Sequence, residues 1–277
     1  MNKKDLTRLR LSGENCAAKL RRKTMTIFYF TATGNSLYAA KTLGGKLYSI
    51  PQLLKEGQFE FADDSIGFVF PVYGFGLPKI VKRFLKAVRY TSQYTFAIGT
   101  YGNMAGSCMN NLAKDFHAAG RELNYADSIL MVDNYLPFFE IESQLKKVKE
   151  KRIDEHLQII VNNVKSKKNS IPRAWVMSRM FTACVSWAVS RMINGKSAQK
   201  YTVNEKCTAC GTCVKACPTG NIEIQDKVVF ASSCELCYAC VHICPHTAIH
   251  LKNERSGARF RNENISVEEI LRANNQK

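Results

Sequence analysis

Acidic side chains are scarce in this chain: 23 Asp and Glu stand against 40 Lys and Arg in 277 residues, a formal net charge of +17. A long apolar run is also missing. The nearest candidate, 171–193, is interrupted by Arg173, Arg179 and Arg191. It offers only 11 consecutive uncharged residues, against the ~20 apolar residues that a membrane span needs. Residues 1–24 contain no apolar stretch of signal length, and their eight basic and two acidic groups read as a disordered basic arm or as sequence upstream of a start at Met25. Arg21-Arg22 has the look of a twin-arginine export signal. The apolar residues behind it, Ile27 to Phe30, run straight into a glycine-containing loop, so a cytoplasmic protein is expected. Phosphate-loop signatures with a lysine after the last glycine are missing, and Gly74-x-Gly76 lacks the third glycine of a dinucleotide fingerprint because Lys79 stands in its place. No His, Ser or Cys constellation suggests nucleophilic or acid–base catalysis.

Cysteine, by contrast, is abundant and clustered. Eight of the 11 cysteines lie between Cys207 and Cys244, which argues against a disulfide scaffold and for metal binding in a reducing compartment. Cys207-x2-Cys210-x2-Cys213-x3-Cys217-Pro218 is repeated as Cys234-x2-Cys237-x2-Cys240-x3-Cys244-Pro245. This run is an established two-cluster signature. Three thiolates on a tight loop each reach one iron of a cubane, and the fourth, beyond the loop, serves the other cluster. Cys207, Cys210, Cys213 and Cys244 are therefore assigned to one [4Fe–4S] centre. Cys234, Cys237, Cys240 and Cys217 are assigned to the second. Zinc would use four ligands in two pairs and leave the third cysteine and the Cys-Pro of each half unexplained. With eight thiolates filling the ligand positions, His242 and His246 read as packing or surface residues, and Cys16, Cys108 and Cys184 as ordinary thiols. Over residues 200–252 the sequence resembles the bacterial-type two-[4Fe–4S] ferredoxins, a small α+β fold.

From Met25 to Lys165 short β-branched and aromatic runs alternate with helical patterns. The strands are expected at 26–30, 65–70, 94–99 and 128–132, and the helices at 37–47, 80–88, 108–119 and 143–165. Alternation of this kind predicts an α/β domain with a parallel sheet and right-handed crossovers. The first strand ends in Thr31-Ala32-Thr33-Gly34-Asn35-Ser36, where hydroxyls and free N–H groups meet a helix N-terminus suited to a phosphate monoester. This stretch resembles the phosphate loop of flavodoxins. The resemblance implies a doubly wound sheet of order 2-1-3-4-5 binding FMN at the switch point. It implies phosphate contacts from Thr31, Thr33, Gly34, Asn35 and Ser36. It also implies ring contacts from two loops, Pro71–Pro78 and Thr100–Gly106, with Tyr73 and Tyr101 stacking, Gly74 presenting its backbone near flavin N5, and Thr100 and Gly102 beside them.

Residues 166–199 read as a polar linker followed by an amphipathic helix that packs between domains; a membrane-surface helix is the second reading, because Trp and Arg together suit an interface. In residues 253–277, Gly257–Asn262 and Ile265–Ile270 precede the end of the chain, and Ser266 with Glu269 forms a capping box. The whole resembles ferredoxins that carry an N-terminal flavodoxin domain. The expected function is an electron carrier relaying single electrons between two [4Fe–4S] clusters and FMN; an FMN-dependent reductase of a small molecule fed by the clusters is the alternative. Two anionic clusters, an FMN phosphate and removal of the basic arm bring the net charge down to roughly +5. That favours an acidic redox partner over nucleic acid.

Overall fold

The computed structural model describes residues 24–277, except for the side chains of Val176, Ser190 and Met192. The expectations for the basic arm, Cys16 and Arg21-Arg22 lie outside the described residues. Strand β1 (Met25–Tyr29) leads through Gly34 into helix α1 (Asn35–Leu43), and β2 (Lys46–Ser49) returns beside it. Helix α2 (Ile50–Glu56) and the short β3 (Glu60–Ala62) precede β4 (Ser65–Pro71) and α3 (Lys79–Ala87). After β5 (Arg89–Thr91) come β6 (Tyr94–Tyr101), α4 (Cys108–Ala118) and β7 (Tyr125–Leu130). The main sheet has five strands in the order β2-β1-β4-β6-β7, and every pairing in it is parallel, with Ile27 opposite both Leu47 and Gly67 and Phe68 opposite Ala97. Counting only these five strands gives 2-1-3-4-5, the flavodoxin-like doubly wound order.

Both faces of a parallel sheet must be covered, so its central strands β1, β4 and β6 are buried almost end to end. On one face Leu37, Ala40 and Leu43 of α1 pack beside Leu157, Ile160 and Val164 of the later helix α6 (Ile153–Lys165). On the other, Ile80 and Phe84 of α3 join Leu112 and Phe116 of α4 around Phe28, Phe68 and Phe70. Fully burying each such phenylalanine contributes about 1.5–3 kcal/mol.

Three expectations are corrected. The helix expected to reach Leu47 ends at Leu43, because Gly44 and Gly45 take φ 81° and 93°; Leu47 belongs to β2. The single helix expected over 143–165 is split into α5 (Ile141–Lys146), a 3-10 turn at Lys149–Lys151, and α6. Arg152 breaks it with a left-handed φ of 46°. The last strand begins at Tyr125 rather than Ser128.

Helix α7 (Val176–Met192) follows Pro172. Then β8 (Tyr201–Val203), α8 (Thr212–Ala216), β9 (Ile222–Ile224), β10 (Val228–Phe230), α9 (Ala239–Ile243) and β11 (Ile249–Leu251) build the cysteine-rich unit. Strand β8 pairs antiparallel with β11, and β9 with β10, so the two sequence halves exchange outer strands. Left-handed residues recur at equivalent places: Ala209 with Leu236, Gly211 with Tyr238, Gly220 with Thr247. The chain closes with α10 (Val267–Asn274), whose Ser266–Glu269 capping box is formed in both directions. Among the described residues no helix is long and apolar enough to cross a membrane.

Candidate functional site

The cysteines fall into two sets. Burial pushes the Cys213 thiol up to about 11, and the neighbours that add to the shift are Cys244, Cys207 and Cys210. Burial likewise raises Cys237 and Cys240, with Cys217 and Cys234 adding to both, and Cys213 of the other set adding to Cys240. Cys207, Cys210, Cys213 and Cys244 line one small concavity together with Ile224, Val228 and Ile249. Backbone N–H groups point at the sulfurs: Asn221 donates to Cys217 Sγ at 3.2 Å, Ala248 to Cys244 Sγ at 3.3 Å and Leu236 to Cys234 Sγ at 3.4 Å. Donors of this kind favour the more negative state of a thiolate-bound cluster and so tune its potential.

At the carboxyl ends of the sheet strands lies a cavity of about 530 Å³. All ten residues expected at a flavin border it or its loops. Thr31, Thr33, Asn35, Ser36, Tyr73, Gly74, Thr100, Tyr101 and Gly102 line it directly. Gly34 sits behind, at φ 103°, where an added Cβ would fall 2.9 Å from Asn262 Cβ. The loop is held in shape by its own polar groups. Gly34 N–H donates to Thr31 Oγ1 at 3.1 Å, and the Ser36 and Thr100 hydroxyls lie 2.8 Å apart. The first-turn N–H groups of α1 have no intrahelical acceptor, as at any helix start, and this is the arrangement a phosphate needs. Tyr73 closes a tight turn, exchanging two backbone hydrogen bonds with Gly76, and its ring stands edge-on to Phe30.

The far wall of this cavity comes from the cysteine-rich unit: Glu235, Leu236, Cys237 and Tyr238 line it. Glu235 is buried and its carboxylate accepts from the Lys79 N–H at 3.0 Å, at the start of α3, so it ties the cysteine loop to a positive helix end. Burial raises its pKa, partly offset by the backbone bonds from Lys79 and Ile80. The roof is α7, whose Val185 and Val189 face the cavity. That helix lies against three glycines: a Cβ on Gly74, Gly76 or Gly106 would come within 2.6, 2.6 or 2.8 Å of Val189, Ser186 or Thr182.

Sequence reading missed the segment after β7, where Asp133, Asn134, Tyr135, Phe138 and Phe139 also line the cavity. The rule that ligands gather beyond the carboxyl ends of strands would have found it. Burial raises the Asp133 pKa, opposed by the Tyr135 N–H and by Lys151. The C-terminal segment was missed as well. Asn262 N–H donates to Thr33 O at 2.8 Å, its amide to Asn35 Oδ1 at 3.2 Å, and the buried Asn274 amide to Thr31 O at 3.0 Å. His242, between two cysteines in sequence, is buried with both ring nitrogens against backbone groups of Asn134 and Phe260, while His246 is exposed.

Fold and site together define a flavodoxin-like α/β domain joined in one chain to a 4Fe–4S dicluster domain. Residues 199–245 match the family described as the 4Fe-4S dicluster domain. The α/β part is similar to a putative flavoprotein from Bacteroides uniformis, at 14% identity and TM-score 0.32 over 47% of this chain and 99% of that one. It is also similar to two-electron reduced Megasphaera elsdenii flavodoxin, at 15% identity and TM-score 0.30 over 41% and 91%, and to rubredoxin oxygen:oxidoreductase from Desulfovibrio gigas, at 15% identity and TM-score 0.35 over 53% and 37%. No curated protein matches the chain in sequence. The fold itself is defined by the strand order and parallel register given above.

Proposed function

We propose that this protein relays single electrons between two [4Fe–4S] clusters and an FMN held in the same chain. The observation that carries the reading is Cys237: it belongs to the second cysteine set and also lines the cavity bordered by the Thr31–Ser36 loop. A cluster ligand and a flavin seat then share one wall. Cys207, Cys210, Cys213 and Cys244 hold one cluster, and Cys217, Cys234, Cys237 and Cys240 the other. Thr31, Thr33, Gly34, Asn35 and Ser36 hold the FMN phosphate; Tyr73, Gly74, Thr100, Tyr101 and Gly102 border the ring. FMN supplies the exchange between one-electron and two-electron chemistry. The protein positions the groups, excludes water through α7, and presents N–H donors to sulfur. The reading includes a cytoplasmic location and an acidic redox partner, drawn by the basic surface.

A second reading, an FMN-dependent reductase, is favoured by the mouth of the cavity. Met104 and Phe138 line it and yet stay mostly exposed, leaving an apolar approach for a small molecule. Anaerobic purification with iron, sulfide and flavin analysis, followed by stepwise reduction, tests both. About eight iron atoms and one FMN per chain support the relay. Failure to take up flavin on reconstitution refutes both readings.

A further inference from the structure

Helix α7 is apolar on two sides. Its inner side, Thr182, Val185, Ser186 and Val189, rests on the glycine loops over the cavity. Its outer side carries Met177, Met180, Phe181, Cys184, Trp187 and Ala188, which recur at helical spacing and are all exposed: Met177 at 78%, Met180 at 64%, Trp187 at 57%, with Trp175 at 85% just before the helix. A side chain of this kind normally faces the core. The charge around it is one-sided. From Ser166 to Asn204 the chain has Lys167, Lys168, Arg173, Arg179, Arg191, Lys196 and Lys200 and no Asp or Glu. Arg191 lies over the Trp187 ring at 3.9 Å, a cation and an aromatic sharing one site.

From this we infer that the outer face of α7 docks on an anionic lipid surface, with Trp175, Met177, Met180 and Trp187 entering the headgroup region and the surrounding Arg and Lys meeting lipid phosphates. The inference stands apart from the flavin reading and would hold if the cavity took another ligand. Charge selects the occupant. A second copy of this chain would set the same cations against themselves, and residues 1–24 add charge of the same sign. An acidic protein would satisfy the cations. The exposed stripe, however, offers it Met, Phe, Trp, Cys and Ala, with no amide, carboxylate or hydroxyl to give direction. A fluid apolar boundary needs none.

The chain has only two tryptophans, and both belong to this element, so their emission reports on it alone. The anaerobically purified, cluster-loaded protein is mixed with vesicles of phosphatidylcholine alone or with half phosphatidylglycerol, and then with vesicles carrying brominated acyl chains. The expected result is co-sedimentation with the anionic vesicles only, a blue shift of tryptophan emission, quenching by the brominated lipid, and protection of Cys184 from alkylation. A Met177→Glu/Met180→Glu variant, with unchanged cluster absorbance, partitions about tenfold more weakly. Binding without tryptophan quenching would mean attachment through basic residues elsewhere in the chain and would overturn the inference. So would a variant that binds as well as the parent, a dimer in sedimentation velocity that the variant abolishes, or binding to polyglutamate with no response to vesicles.

Discussion

His242 Nε2 lies 2.9 Å from the backbone oxygen of Asn134, while the Asn134 amide donates to Thr33 Oγ1. The imidazole between Cys240 and Cys244 is thereby linked, through one asparagine, to the phosphate-type loop. Phe260 N–H donates to Nδ1 at 3.1 Å, so Nδ1 is the acceptor and Nε2 carries the proton. Burial lowers the ring's pKa to about 4, which keeps it neutral at pH 7. Cluster unit, cavity loop and C-terminal segment all meet at this ring.

Replacing His242 with Leu orphans the Asn134 carbonyl and the Phe260 N–H at once, at about 1–3 kcal/mol for each buried group left unpaired. Anaerobic guanidinium unfolding should show a loss in that range. His242→Gln keeps one donor and one acceptor and should recover part of it.

Cys217→Ser tests the crossed ligation. The proposed ligation puts Cys217 with Cys234, Cys237 and Cys240 although it lies in the other sequence run; its charge adds to the upward shift of both Cys237 and Cys240. The expected outcome is loss or conversion of the cluster held by the Cys234 run, seen by electron paramagnetic resonance after reduction, with the other cluster intact. Loss of the Cys207-run cluster instead would reverse the assignment.

Much of this was readable in the chain. The strands Met25–Tyr29, Ser65–Pro71 and Tyr94–Tyr101 are dense in β-branched and aromatic residues, and the cysteine spacing carries its chemistry openly. Strand β2 was not readable, because Lys46–Ser49 is short and its Leu47 continues the helical spacing of α1. Nothing local marks the break at Arg152 either, since it is neither glycine nor proline. Least readable was the approach of Cys237 to the cavity. It depends on contacts between segments far apart in sequence, such as Glu235 with Lys79 and His242 with Asn134.

Gly74→Ala should unseat the roof of the cavity. The residue is left-handed at φ 52°, and its added Cβ would meet Val189 at 2.6 Å. Strain of about 1–3 kcal/mol predicts a weakening of FMN binding by about tenfold, measured by flavin titration of the reconstituted apoprotein.

Tyr238 keeps a left-handed backbone at φ 60°, where the other half of the repeat has Gly211. Its ring packs against Tyr135 and Tyr201, with centroids 5.6 and 6.3 Å apart. Tyr238→Gly would relieve roughly 1–2 kcal/mol of backbone strain but forfeit about 3–5 kcal/mol of aromatic packing. Net destabilisation on denaturation is expected, and net stabilisation would contradict this weighting.

Thiol reactivity should separate the two non-cluster cysteines in the described residues. Burial pushes Cys108 up to about 12, leaving a negligible thiolate fraction at pH 8, while Cys184 is exposed. Iodoacetamide followed by peptide mapping should label Cys184 quickly and Cys108 only on unfolding.

The C-terminal segment also sets an order of assembly. Asn274 and Thr31, partners in one hydrogen bond, stand 243 positions apart, and closing so long a loop comes late in folding. During synthesis the sheet and both cysteine runs leave the ribosome before the residues that brace the Thr31–Ser36 loop exist. On the proposed reading, iron–sulfur assembly begins on a chain whose flavin seat is still unfinished, and α10 latches the Thr31–Ser36 loop afterwards through Asn274.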